Sequence, residues 1–185
     1  MKVAFVIFDG MTALDFIGVY DPVTRLQTMG FMPELDWDIC AHSQPVRDIA
    51  GLIFTPSRVG ESLAEYDTVI VPGGFGTRAL AKHAAFLEWL KTAEPCQKVS
   101  VCTGTLLLAA AGFLNGKKAT THPNAFADLD ALGVSVMHDR IVDENEIITA
   151  RGVTAAIDLG LYLVEKWAGR EVKERIRVQM DYETE

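Results

Sequence analysis

Short apolar runs alternate along the chain with segments whose apolar residues recur at helical spacing. VAFVIF (3–8) precedes a helix predicted over about 14–29, and LDWDICA (35–41) follows it. TVIVPGG (68–74) precedes a helix over about 77–93, and KVSVC (98–102) one over about 104–113. Several of the runs are rich in Val and Ile at both parities, as strands covered on both faces are. Such alternation predicts βαβ units around a parallel sheet.

Between 43 and 66 the pattern is less regular: IAGLIFTP predicts a strand pair or hairpin and ESLAEY a short helical turn. Further on, NGKKATTHPN predicts a loop, AFADLDALG a short helix closed by Gly133, and VSVMHDRIVDENEIITARG strands around a DENE turn. An apolar helix over 153–168 and a charged one over 170–178 complete the order. Without an internal repeat or low-complexity segment, a single domain over 1–185 is expected.

Composition narrows the function classes. A chain of 185 residues buries roughly 70% of its unfolded surface without disulfides. No apolar stretch approaches the ~20 residues that cross a membrane, so a soluble protein is expected. MKVAFVIFDG lacks a cleavage site and is read as the first strand of the mature fold. Three cysteines, Cys40, Cys96 and Cys102, form an odd set without a CxxC pair, which argues against a disulfide framework or a zinc site. A reducing compartment, the cytoplasm, follows. The net charge of −8 argues against a nucleic-acid partner, and Lys117-Lys118 and Lys173–Arg177 read as solvated surface. A small-molecule substrate is the expected partner.

The chemistry gathers at VSVCTGTLLLAAAG (99–112), where a strand gives way to a helix apolar nearly all round. That helix is expected to be buried, with its N-terminus at the carboxyl edge of the sheet, where open α/β folds bind ligands. Unpaired helix N–H groups there lower a thiol's pKa, and Gly104 permits the tight turn of a nucleophile elbow. A buried, inert cysteine is the competing reading of Cys102. Cys96 is expected at the surface and Cys40 in the core.

Three further segments bear on that choice. Pro72-Gly73-Gly74 ends a strand; its amides either line an oxyanion-type hole beside Cys102 or form a simple turn. Asp15, flanked by Leu14, Phe16 and Ile17, either complements the helix dipole or is a partly buried acid with a raised pKa that exchanges protons with a substrate. His122 in ATTHPN lines the pocket or holds its loop, a supporting role. His42, His83 and His138 lack metal-ligand spacing, so no metal is expected.

Taken together, FDGMTALDFIG, VIVPGGFG, SVCTGTLLLAAAG and ATTHPN resemble the ThiJ/PfpI superfamily over essentially the whole chain. The resemblance implies a flavodoxin-like, class I glutamine amidotransferase-like α/β domain: a three-layer sandwich around a mostly parallel sheet. CTG at the elbow with Asp15, supported by ITARGVTAAIDLGLYL and VQMDYE, is similar to the isonitrile (isocyanide) hydratase branch. That branch implies Cys102 as nucleophile, Asp15 as acid/base and Thr103 as a hydroxyl in the site. It further implies Gly73 and Gly74 as backbone donors, His122 and Gly152 on the substrate side, no cofactor, and a homodimer. The implied activity is a lyase hydrating an isocyanide to an N-substituted formamide.

Departures from the pattern bear on the substrate. Pro123 stands where the hydratases usually have Trp, and the chain ends soon after DYE. With no helix-turn-helix segment following, the regulators that share this elbow are a disfavoured match. Protease-like relatives place His directly after the nucleophile, where this chain has Thr103; redox-protective and glyoxalase-like relatives usually have Glu in place of Asp15 and Ala in place of Thr103. Two rivals stand beside hydration: glyoxalase- or deglycase-type chemistry on an α-oxoaldehyde, and a redox sensor or stress-protective protein in which Cys102 becomes a sulfinate.

Overall fold

The first apolar run forms β1 (Lys2–Ile7), buried at every position after Lys2, and turns through Gly10 into α1 (Ala13–Thr28). The structure, a computed structural model, describes residues 1–183; the last two positions of the expected domain lie outside the described residues. Next come β2 (Asp36–Ala41), a hairpin of β3 (Val46–Arg47) and β4 (Ile53–Phe54), and β5 (Arg58–Val59). β6 (Thr68–Val71) leads into α2 (Thr77–Leu80) and α3 (Ala84–Lys91), and β7 (Gln97–Val101) into α4 (Gly104–Ala110).

A small parallel pair, β8 (Lys118–Ala119) with β9 (Ser135–Val136), brackets a 3-10 turn and α5 (Phe126–Asp130). After β10 (Ile141–Asp143) and β11 (Ile147–Ala150), the chain closes with α6 (Ala155–Ala168) and α7 (Arg170–Gln179).

Among the described residues, seven strands form one sheet in the order β10-β11-β7-β6-β1-β2-β5, parallel except for β10 against β11. Val69, Ile70 and Val71 are all buried, as are Ile147, Ile148 and Ala150, so consecutive side chains find a covered face on either side of the sheet. This is the expected α/β sandwich with a mostly parallel central sheet. β1, β6, β7 and β11 run in the same direction, which brings the segments after each of them to one edge. No helix among the described residues is long and apolar enough to cross a membrane.

Local expectations are corrected in three places. The helix over 77–93 is broken: His83 is extended, and its Nδ1 accepts the Phe86 N–H at 3.1 Å, capping a second helix. ESLAEY forms a non-helical turn, because Leu63 N–H donates to Thr92 Oγ1 and Tyr66 OH reaches Asp38, pulling the segment open. The loop predicted after 114 contains β8 and the 3-10 turn Pro123–Ala125, whose start is capped by His122.

α1 buries Asp15, Gly18, Val19, Pro22, Val23 and Leu26, a stripe at helical spacing that lies against α6. Gly18 is the tight point: a Cβ there would stand 2.7 Å from the Ala156 Cβ. Gly18→Val therefore forces the two helices apart, and urea unfolding should show a loss of roughly 1–3 kcal/mol, the usual penalty of overpacking. An unchanged midpoint would mean that this crossing tolerates a wider spacing.

Candidate active site

Cys102 sits directly after β7 in a left-handed backbone conformation, φ +55°, unusual for a residue with a side chain. Its amide is held by the carbonyls of Ala150 and Arg151, both at 3.0 Å, and its carbonyl accepts the Thr121 hydroxyl at 2.7 Å. Gly104 lets the next helix start against β6: a Cβ there would lie 2.6 Å from the Pro72 carbonyl oxygen. Strand, strained cysteine and abutting helix make a nucleophile elbow.

Asp15 comes to the same point from the first turn of α1 and is completely buried. Gly73 donates its N–H to Asp15 Oδ2 at 3.0 Å, while Oδ1 has no protein hydrogen-bond partner among the described residues. A Cβ on Gly73 would stand 2.6 Å from Thr103 N, 2.7 Å from Cys102 Cβ and 2.8 Å from Asp15 Oδ2. Only glycine leaves room for thiol and carboxyl to meet. Gly74 is clamped from the opposite side, its N–H donating to Thr103 Oγ1 at 2.9 Å. Thr12 N–H bonds the Gly73 carbonyl at 2.8 Å, tying the start of α1 to this loop.

The electrostatics are those of a buried acid pair. Burial pushes Asp15 up to about 6, against smaller lowering effects of the Cys102 thiol and the Gly73 amide. Burial, followed by the Asp15 charge, pushes Cys102 up to about 12, although the Thr103 and Val153 amides pull it down. A lowered thiol pKa, expected from the helix start alone, is thus corrected: the buried carboxylate and poor solvation outweigh the amides. Asp15 is the more acidic member of the pair and gives up its proton first, while the sulfur keeps its own.

Above the pair lies a cavity of about 460 Å3 whose walls include Ile49, Phe75, Ala125 and Val153, with Cys102 and Thr103 among its lining residues. Its size is that of a small-molecule pocket. His122 also lines it, with Nδ1 accepting the Asn124 N–H at 3.1 Å. Gly152 underlies that ring; a side chain there would collide with His122 Cδ2.

All the residues singled out from sequence, Asp15, Gly73, Gly74, Cys102, Thr103, His122 and Gly152, lie at this one sheet edge. Two roles change. Gly73 and Gly74 do not offer free amides, since Asp15 and Thr103 occupy them; the amides turned to the sulfur belong to Thr103 and Val153. Cys96 is not at the surface but buried, its thiol donating to the Leu63 carbonyl at 3.2 Å, because the turn after α3 folds inward. Sequence reasoning missed Val153, Ile49, Phe75 and Arg78. Phe75 and Val153 sit inside motifs already singled out, VIVPGGFG and ITARGVTAAIDLGLYL, but nothing local marks these four side chains, and only the folded chain brings them to the cavity.

Fold and site together define an α/β protein with a nucleophile elbow and a buried cysteine–aspartate pair. The chain belongs to the DJ-1/PfpI family, whose sequence model matches residues 1–166. It is 32% identical to isonitrile hydratase from Pseudomonas putida over 184 residues, 98% of this chain and 78% of that protein. Protein DJ-1alpha from Drosophila melanogaster is 28% identical over 143 residues, 74% of this chain and 66% of that one. A solved THiJ/PfpI family protein from Pseudomonas syringae has 30% identity and a TM-score of 0.89, covering 100% of this chain and 76% of its own.

Asp15→Asn removes the charge that opposes thiolate formation. The thiolate absorbance of Cys102 should then titrate at lower pH than in the wild-type protein. An unchanged or higher titration would show that desolvation alone sets it.

Proposed function

We propose that this protein is a cofactor-independent lyase that hydrates an isocyanide to the N-substituted formamide. The buried Asp15–Cys102 pair, whose cysteine lines a largely apolar cavity, carries the reading, and the likeness to an isonitrile hydratase supports it. An isocyanide is compact at its reacting carbon and apolar in its substituent, which suits such a cavity. Adding a thiol to it needs one group to take the sulfur's proton and return it to carbon.

Asp15 is suited to that transfer, being ionised at neutral pH yet basic enough to hold a proton transiently. As the S–C bond forms, the thiol proton passes through Asp15 to the former isocyanide carbon, giving a thioimidate, R–N=CH–S–Cys102. Water then adds across C=N, its oxygen to carbon and one proton to nitrogen. The hydroxyl proton of that adduct passes through Asp15 to the departing sulfur as C–S breaks, releasing R–NH–CHO and restoring the thiol. The Thr103 and Val153 amides steady the sulfur while it carries charge.

Purified protein mixed with an aryl isocyanide should produce formamide, followed by absorbance and mass spectrometry. Cys102→Ala should abolish turnover, and Asp15→Asn should lower kcat about 10²- to 10⁴-fold. Full activity in either variant refutes the corresponding role. Because Asp15 must be ionised to accept the thiol proton, kcat/KM should rise with pH through about 6 and then level off. A profile falling through that range would reverse the assignment. Methylglyoxal assayed in parallel tests the α-oxoaldehyde alternative: Cys102-dependent lactate formation well above isocyanide turnover would replace hydration.

A further inference from the structure

Arg78 is the one charged side chain among Asp and Glu, Lys and Arg that lines the Cys102 cavity among the described residues. It projects from α2 and meets Asp128 on α5 through a single ion pair, NH2 to Oδ2 at 2.9 Å. Both partners are about half exposed, 48% each, so their attraction is weak and easily shared with another anion. A guanidinium carries five N–H donors, and this pair engages one contact, leaving the fork able to bind a carboxylate as well. His122 also lines the cavity, its Nδ1 accepting the Asn124 N–H at 3.1 Å. The remaining walls are mainly apolar, Ile49, Phe75, Ala125 and Val153. Thus the cavity joins an apolar slot to one cation with no carboxylate lining it, in a chain whose net charge is −8.

We propose that Arg78 determines specificity by selecting substrates whose apolar body bears an anionic group, such as a carboxylate. This rests on reading the cavity as the substrate site; the nature of the reaction enters only one arm of the test.

The first arm needs no turnover. Cys102 is modified with N-(4-carboxyphenyl)maleimide and with N-phenylmaleimide; the S–C bond forms and the thiol proton ends on the neighbouring carbon. The ratio of the two rates is normalised to that of 2-mercaptoethanol, and mass spectrometry confirms that Cys102 is the residue modified. The wild-type ratio should exceed that of Arg78→Gln about two- to fivefold, the range set by a solvent-accessible ion pair, and the excess should shrink at high salt. Asp128→Asn, which frees the guanidinium, should raise the ratio above wild type. Lys82→Gln, a nearby exposed charge outside the cavity, should leave it unchanged. Equal ratios in wild type and Arg78→Gln overturn the proposal, as does an equal drop in Lys82→Gln, which would reflect overall charge.

The second arm compares 4-isocyanobenzoate with phenyl isocyanide. Arg78→Gln should raise KM for the carboxylate alone, with kcat little changed for either. If neither isocyanide is hydrated while the maleimide ratios shift as described, hydration fails and the Arg78 proposal stands. If both are hydrated and the ratios do not shift, hydration stands and the Arg78 proposal fails.

Discussion

The left-handed turn at Cys102 constrains nearly everything around it. A side-chain-bearing residue in this region is strained by about 1–3 kcal/mol and persists only where its surroundings over-determine it. Here the surroundings come from separate parts of the chain: the end of β11 holds the Cys102 amide, Thr121 holds its carbonyl, and Gly104 packs α4 against the end of β6. Buried hydroxyls continue the support. Ser100 and Thr105 share a hydrogen bond at 2.8 Å, Thr105 reaches the Thr120 carbonyl at 2.9 Å, and Thr149 accepts the Thr120 amide at 2.9 Å. The cysteine is aimed by the sheet edge as a whole.

Burying Asp15 has a thermodynamic consequence. Its pKa rises from the ordinary 3.8 to about 6, so the native state favours the protonated form. Stability linked to this group is fully present below about pH 4 and is lost as pH rises through 6, leaving the ionised carboxylate at neutral pH roughly 3 kcal/mol unfavourable. Core packing around α1 and α6 offsets it. In the proposed reaction the same shift suits Asp15 to carrying a proton, for which a solvated aspartate would be a weaker base. In this chain stability and chemistry therefore pull against each other at one carboxyl group.

Within the family, this geometry bears on which chemistry the elbow performs. Asp15 is shorter than the glutamate usual in redox-protective relatives, and Thr103 ties down the Pro-Gly-Gly loop through a hydroxyl that alanine lacks. Carboxyl and thiol meet here in a buried hydrogen-bonded contact. The proposed hydration, a proton-shuttling addition, would use that contact directly.

Much of this was written in the sequence. Apolar runs covered at both parities required a parallel sheet, and the strand-to-helix change at Cys102 required an elbow, because both follow from local periodicity and glycine placement. Asp15 was legible only as an alternative, a helix-dipole partner or a partly buried acid, because its flanks Leu14 and Ile17 are themselves exposed and only the packed fold buries it. Other features had no local signature. The break at His83 depends on a side chain capping a helix, and the burial of Cys96 on a turn folding under α3. Likewise, the thiol's raised pKa comes first from burial and then from a carboxylate far away along the chain. The cavity draws Ile49, Phe75, Arg78 and Val153 from separate segments. Sequence determined the strands, helices and reactive groups; tertiary structure decided what those groups feel, because desolvation, charge and close approach are set by residues distant in the chain.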